Sequence, residues 1–270
     1  EYGIPQARHR IFILGVRSDL KLRPELLEKK PAITLRDAIG DLPPVRSGIS
    51  RERDSFDSWF KALQEVQRHS WFSGDRGKVS GEWDKYKEIL NSSEKFPVSR
   101  SSSSCSRPLA LENWYADDRL SHLSCHEARP HMRSDLHRYF FSALFAEKFG
   151  HPAKLADFPE QLLPDHKNVE KGRQGKMFAD RFKVQLPDKA STTITSHMSK
   201  DGHYFIHYDP YQCRSLTVRE AARLQTFPDN YHFEGPKTHQ YHQVGNAVPP
   251  YLANQISEVV ADILDRMEGD

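Results

Sequence analysis

Tyr2-Gly3-Ile4-Pro5-Gln6-Ala7-Arg8-His9-Arg10-Ile11-Phe12-Ile13-Leu14-Gly15-Val16 opens the chain, a polar loop that runs straight into an apolar stretch. A short unbroken run rich in β-branched and aromatic residues reads as a strand buried on both faces. Such a strand needs neighbours on both sides, and no comparable run lies close by. It is therefore expected to complete a sheet whose other strands lie before residue 1. Residues at i and i+2 of a strand point to one side. Arg8 and Arg10 would then form a paired guanidinium array suited to a carbonyl or a phosphate. Taken alone, the same spacing also describes two solvated charges.

Moving outward, composition sets the bounds. The 270 residues allow one large domain or two modest ones. Hydrophobic residues make up 37% and charged residues 28%, enough apolar material for a core. With a net charge of only +2, any nucleic-acid surface must come from cations clustered on one face. No apolar run approaches the roughly 20 residues of a membrane helix, and no secretory leader opens the chain. The three cysteines, Cys105, Cys125 and Cys213, fit a reducing compartment better than a disulfide framework. The chain opens on Glu1 and not Met, so a longer protein is expected.

Thr34-Leu35-Arg36-Asp37 has the form of a capping box and predicts a short helix to about residue 40, stopped by Gly40 and Pro43-Pro44. Helices are also expected over 54–68, 84–90 and 131–149. The last is read as amphipathic, with Leu136, Tyr139, Phe140, Ala143, Leu144 and Phe149 along one stripe. Residues 99–106 are low-complexity and read as a loop. Residues 178–208 alternate and predict strands. A second capping box, Thr217 to Glu220, starts a helix over 217–226. A final helix begins near Pro249-Pro250 and is expected to bury Leu252, Ile256, Val259, Val260, Ile263 and Met267.

Three segments carry chemistry: Gln6 to Arg10, the Thr217–Asp229 helix with Arg219 and Arg223 one turn apart, and Gln243-Val244-Gly245-Asn246-Ala247-Val248-Pro249-Pro250. In the third, Gly245 permits a close backbone approach and Asn246 offers both donor and acceptor. Free amides at the following helix start suit a carboxylate. His122, Cys125, His126 and His131 lack the paired spacing of a zinc site, and no metal is expected.

In this order, the segments resemble the last three signature motifs of the DNA cytosine-5 methyltransferases. Gln6-Ala7-Arg8-His9-Arg10 matches the family's Gln-x-Arg-x-Arg. Arg219-Glu220, Leu224-Gln225 and Phe227-Pro228-Asp229 match the next motif, and Gln243 to Val248 match the last. Thr34 to Pro44 resembles a segment many members carry after the first of these. The resemblance implies an enzyme that flips a cytosine out of double-stranded DNA, attacks C6 with a Pro-Cys thiolate, and methylates C5 from S-adenosyl-L-methionine. It implies that Arg10 contacts the flipped base, that Arg8 braces the same pocket, and that Gln6 orients the loop. Asn246 and Ala247 are implied at the methionine end of the cofactor. Arg219, Glu220 and Gln225 are implied as structural ties between domains. The Thr193 of Ser191–Thr195 is implied to contact DNA near the base. Residues 196–203, read as a polar turn, offer Lys200 and His203 to a groove. Arg129, His131, Arg133 and Arg138 are within reach of phosphates, or form a solvated helix face.

The implied fold is α/β. Residues 1–45 and 243–270 belong to a partial Rossmann-like methyltransferase catalytic domain, 46–212 form a mixed α/β target-recognition domain, and 213–242 form the hinge. The implied setting is a bacterial cytoplasmic, nucleoid-associated protein of a restriction-modification system, with no membrane. The family's Pro-Cys, Phe-x-Gly-x-Gly and Glu-Asn-Val motifs do not occur: Cys105 follows Ser104, Cys125 follows Ser124 and Cys213 follows Gln212. They belong before the Arg-x-Arg segment. An N-terminal catalytic half is thus an expected partner, fused or separate, and this chain alone is expected to be inactive. The rival reading is a non-catalytic DNA-binding subunit or degenerate remnant; methylation of RNA is a third.

Overall fold

The chain's cappings lay out its helices. A computed structural model describes residues 1–73, Val79, 96–98 and 107–268. The 84–90 helix and the 99–106 loop, with Cys105, fall outside the described residues. The Leu35–Ile39 helix starts on Thr34, whose hydroxyl accepts from the Asp37 amide while the Asp37 carboxylate accepts from Thr34 N–H. The Val218–Leu224 helix repeats the device with Thr217 and Glu220. The Phe56–Gln64 helix starts on Ser55 and runs on as a 3-10 turn, Glu65–Arg68.

Arg133–Phe149 is the central helix, closed by Gly150 in the left-handed conformation. It differs from the expected amphipathic stripe. Every residue from Asp135 to Ala146 except half-buried Arg138 is buried, whereas Phe149 is exposed. The polar members are tolerated inside because they are bonded. His137 Nε2 lies 2.7 Å from the Ala62 carbonyl, Ser142 donates to the Arg138 carbonyl, and Arg138 reaches Asp135 and the Leu162 and Leu163 carbonyls.

Two apolar cores form. One gathers Trp59, Leu63, Tyr139, Phe140, Leu144 and Phe182 around the central helix. The other gathers Leu35, Ile39, Ile194, Met198, Leu216, Leu224, Tyr241 and Val244 around the Val218–Leu224 helix. Strands are short. Gln6–Ala7 pairs in parallel with Ser191–Thr192, and Gly48–Ile49 in parallel with Pro130–His131. The 178–208 region, expected as strands, holds only Ser191–Thr192, bridges pairing Ile206 with Val184 and with Ser215, and a 3-10 turn, Ser196–Ser199.

The expected strand over 11–16 is absent. Ile11 and Ile13 are 89% and 92% exposed, and no described residue pairs with the run. The reason is the one that made it a buried strand in sequence: it needs flanking strands, and none of the described residues supplies one. The final helix, Pro250–Glu268, shows the same deficit. Leu252 and Ile263 are buried, but Ile256, Val259 and Val260 are half-exposed and Met267 is exposed. Among the described residues no helix is long and apolar enough to cross a membrane.

Candidate functional site

The site is built where the two ends of the chain meet the middle. The Gln6–Ala7 strand pairs Gln6 with Ser191 and Ala7 with Thr192, which sets the first motif beside Thr193 and Ile194. Gln6 is buried. Its carboxamide nitrogen donates to the Leu224 carbonyl at 3.1 Å and to Gln225 Oε1, and its oxygen accepts from the Ile194 amide at 3.0 Å. Gln225 in turn donates to the Val244 carbonyl at 2.8 Å. Two buried carboxamides thus join all three motifs, and each one's hydrogen-bonding groups are met inside the protein.

Arg8 completes the junction. Its Nη1 donates to the Ile194 carbonyl at 3.2 Å and to the Gly245 carbonyl at 3.5 Å. Partial burial, and then the neighbouring Arg10 charge, lower its pKa from the ordinary guanidinium value. Beside it Arg10 is exposed, bonded only to the carbonyl of its own neighbour His9 at 2.7 Å. The two arginines therefore do not act as a matched pair. The strand ends at Ala7, so alternation no longer holds them to one side. Among the described residues Arg8 bonds across the junction, and Arg10 bonds nothing beyond its neighbour. Thr193 donates its hydroxyl to the Ala7 carbonyl at 2.6 Å.

Gly245 makes the close backbone approach that its sequence suggested. A Cβ there would lie 2.1 Å from Ser196 N and 2.3 Å from the Thr195 carbonyl carbon. The motif differs from the expected turn, however. Gln243 to Asn246 form the end of a helix, Lys237–Asn246, with Ala247 as its cap. The next helix offers few free amides: Tyr251 N–H is taken by Thr226 Oγ1 at 3.1 Å, and those of Leu252 and Ala253 by the Pro249 carbonyl. What remains open is the Asn246 side chain, exposed and without a described protein partner, beside half-buried Ala247.

The Val218–Leu224 helix anchors this junction through charge. Arg223 forms a bidentate pair with Asp229 at 2.9 and 2.6 Å and bonds Asp41 at 2.7 Å. Arg219 donates to the Ser124, Pro228 and Tyr231 carbonyls. Glu220 meets Arg214 bidentately, both contacts 2.6 Å. Burial would raise the Glu220 pKa, but the Arg214 charge and hydrogen bonds outweigh it and hold the carboxyl below its ordinary range. His207 packs against this pair, and its pKa falls to about 3 because burial and Arg214 disfavour a second cation more than Glu220 favours it.

Several expected contacts point inward instead. His203, read as facing a groove, is buried; its Nδ1 lies 2.8 Å from the Tyr139 hydroxyl and its ring packs on Phe182. Lys200 is exposed, and its carbonyl accepts from Arg129 at 2.9 Å. Half-buried Arg129 also takes the Met198 carbonyl and lies over the Tyr241 ring, so it clamps the 196–200 turn. His131 is buried with Ser215, Arg133 is paired with Glu52 and Glu65, and Arg138 is internal. His126 is held by Thr217 and the Pro43 carbonyl, and no metal-binding cluster occurs among the described residues. Sequence patterning missed the Arg214–Glu220 pair and the Arg129 clamp. Arg129 and Arg214 both lie on irregular chain, where no periodicity marks a facing side.

With this geometry in place, known proteins give a consistent comparison. The family model described as C-5 cytosine-specific DNA methylase matches residues 1–262. Type II methyltransferase M.Bpa9945I of Bacillus paralicheniformis is 34% identical over 270 residues, covering 98% of this chain and 49% of that protein. Type II methyltransferase M.DdeI of Desulfomicrobium norvegicum is 27% identical, covering 97% of this chain and 52% of that protein. DNA (cytosine-5)-methyltransferase 4 of Arabidopsis thaliana is 30% identical over 251 residues, covering 93% of this chain and 14% of that protein. The chain spans about half the length of the two bacterial relatives.

Proposed function

The chain belongs to the C-5 cytosine-specific DNA methylase family, and from that premise we propose that it forms the target-reading and pocket-closing part of a DNA cytosine-5 methyltransferase acting within bacterial restriction-modification. One observation carries the reading: Arg8 ties the first motif to Ile194 and Gly245, while the nearby Arg10 guanidinium has no described partner beyond the His9 carbonyl. A guanidinium without a carboxylate partner is the group expected to hold the carbonyl oxygen of an everted cytosine. Thr193, bonded to Ala7, holds the strand pair beneath it and reaches DNA from there. Gln6 and Gln225 fix the loop, and Arg219 and Glu220 lock the supporting helix. Lys200, exposed on the adjoining turn, is assigned to a phosphate.

The donor set suits S-adenosyl-L-methionine in chemistry. The open Asn246 carboxamide offers a donor for a carboxylate and an acceptor for an ammonium, the two charges of an amino-acid end. The cofactor supplies the methyl group when bound; Asn246 and Ala247 orient its methionine portion.

Neither described thiol suits the nucleophile. Cys213 is buried and donates to the Leu136 carbonyl at 3.1 Å, and burial raises its pKa well above the ordinary thiol value. Cys125 follows Ser124, and its sulfur lies against the Phe233 carbonyl. We assign the thiolate to a segment of the protein outside these 270 residues. The same segment would cover Ile11–Val16 and the open face of the final helix. Residues 1–45 and 243–270 are then the catalytic-domain portion, 46–212 the target-recognition domain and 213–242 the hinge.

The test is to express the full-length protein in a methylation-free host and map methylated cytosines. One fixed sequence should be methylated throughout, and Arg10→Ala should abolish most of that signal. Methylation surviving in Arg10→Ala, or none from the wild type, would overturn the assignment. Absence of methylation with DNA binding intact would favour the non-catalytic subunit.

A further inference from the structure

Beyond the three motifs, one surface remains unexplained by the fold. Residues 165–178 leave the core as a short helix, Val169–Arg173, and return through a tight loop. The loop is held by its own backbone: Gln174 N–H to the Glu170 carbonyl, Gly175 N–H to Gly172, Lys176 N–H to Lys171, and Leu155 N–H to Ala179 at the far end. Gly172 is buried beneath it; a Cβ there would sit 2.6 Å from Leu155 Cδ1 and 3.0 Å from the Met177 carbonyl oxygen. Yet the tip turns apolar groups outward. Phe178 is 58% and Met177 44% exposed. Phe178 also has a φ of 50°, a left-handed conformation that a bulky aromatic rarely adopts.

Charge names the occupant. Lys167, Lys171 and Lys176 are exposed, with no ion pair among the described residues, whereas Arg173 beside them is paired with Glu170 at 3.5 Å. Phe178 also lines a cavity of about 320 Å³ with His166, Arg181, His197, Asp201 and Tyr204. His197 adjoins Ser196, the residue against which Gly245 packs. The cavity thus joins the Phe178 tip to His197, one residue along the chain from the Ser196 that Gly245 packs against.

We propose that Met177 and Phe178 are a sequence-reading contact of this protein: the apolar tip packs against base pairs flanking the target cytosine in duplex DNA, while Lys167, Lys171 and Lys176 hold the adjacent phosphates. Aromatic contact with bases and cationic contact with phosphates are separable energetically, because only the first depends on sequence. The inference rests on the methyltransferase reading above.

The test uses the full-length protein, a duplex carrying the methylated sequence mapped in the host, and a scrambled duplex of equal length. Phe178→Ala, and Phe178→Asn, which tolerates the left-handed backbone, should each lower the ratio of specific to non-specific affinity by about ten-fold, with unchanged thermal midpoints. Phe178→Trp should retain the ratio. Replacing the three lysines by alanine should weaken both duplexes alike and reduce the slope of log affinity against log salt by about two to three. Wild-type discrimination in both Phe178→Ala and Phe178→Asn, or an unchanged salt slope in the lysine variant, would overturn the inference while leaving a methylating wild type intact. A wild type that neither methylates nor binds the duplex would remove the underlying reading and this inference with it.

Discussion

Gly245→Ala sets two physical effects against each other with opposite signs. Within a helix, alanine is favoured over glycine by up to about 1 kcal/mol, so propensity alone predicts a more stable protein. The packing predicts the reverse. The new methyl would lie 2.1 Å from Ser196 N, 2.3 Å from Thr195 C and 2.6 Å from Ser196 Cα. Ordinary contact needs about 3.5 Å, so the Lys237–Asn246 helix and the Ser196–Ser199 turn must part by over about 1 Å. All three atoms are backbone, and no side chain can rotate away. Overpacking of this kind costs about 3 kcal/mol at the upper end of its usual range, leaving a net loss of about 2 kcal/mol. Parting these elements also breaks the 3.5 Å contact from Arg8 to the Gly245 carbonyl and strains the Gln225 bond to Val244. Urea unfolding of the full-length protein should show the loss, and methyl transfer should fall with it. A variant as stable as the wild type, or more so, would refute the reasoning, because the helix and turn would not then be in contact in solution.

Removing the charge in Glu220→Gln leaves the buried Arg214 guanidinium without its counter-ion and should cost about 3–5 kcal/mol, read as a lower urea midpoint. Arg10→Ala should leave the unfolding midpoint within about 0.5 kcal/mol of wild type, since Arg10 bonds only its neighbour's carbonyl, while methylation collapses. His207 titrates near 3 when folded and near its ordinary value of about 6.5 when unfolded, so its neutral form stabilises the fold above about pH 6.5. That contribution is lost as pH falls from 6.5 toward 3, by roughly 2 kcal/mol at pH 5, and buried His126, His131 and His203 shift the same way. Urea midpoints should drop between pH 7.5 and about 5, and His207→Asn should flatten the slope; an unaltered slope in that variant would exclude His207 as a source. Glu220, with its depressed pKa, adds its own acid-linked loss only below the ordinary carboxylate value of about 4.3.

The sequence was most legible where local chemistry decides local structure. Thr34–Asp37 and Thr217–Glu220 announce their helices because a cap is satisfied within four residues, and both appear as expected. Gly245 announced a close approach because only a missing Cβ permits one. Legibility failed where partners are remote. Ile11–Val16 has a strand's composition, but a strand is a property of its neighbours. The central helix hid its all-round burial because His137, Arg138 and Ser142 satisfy themselves against carbonyls that no periodicity reveals. His203 and Arg129 read as groove and phosphate contacts from their polarity, and both are consumed by internal bonds. Arg8 and Arg10 look equivalent in sequence and are separated only by where the strand stops.

The central claim is that Arg10 and Asn246 border one pocket for an everted cytosine and its methyl donor. A crystal structure of the full-length protein with a duplex containing the target cytosine and S-adenosylhomocysteine tests it most directly. The account predicts the cytosine out of the helix with Arg10 about 2.7–3.2 Å from its carbonyl oxygen, and Asn246 against the cofactor's amino-acid end. A cytosine seated elsewhere, with Arg10 pointing into solvent, would contradict it.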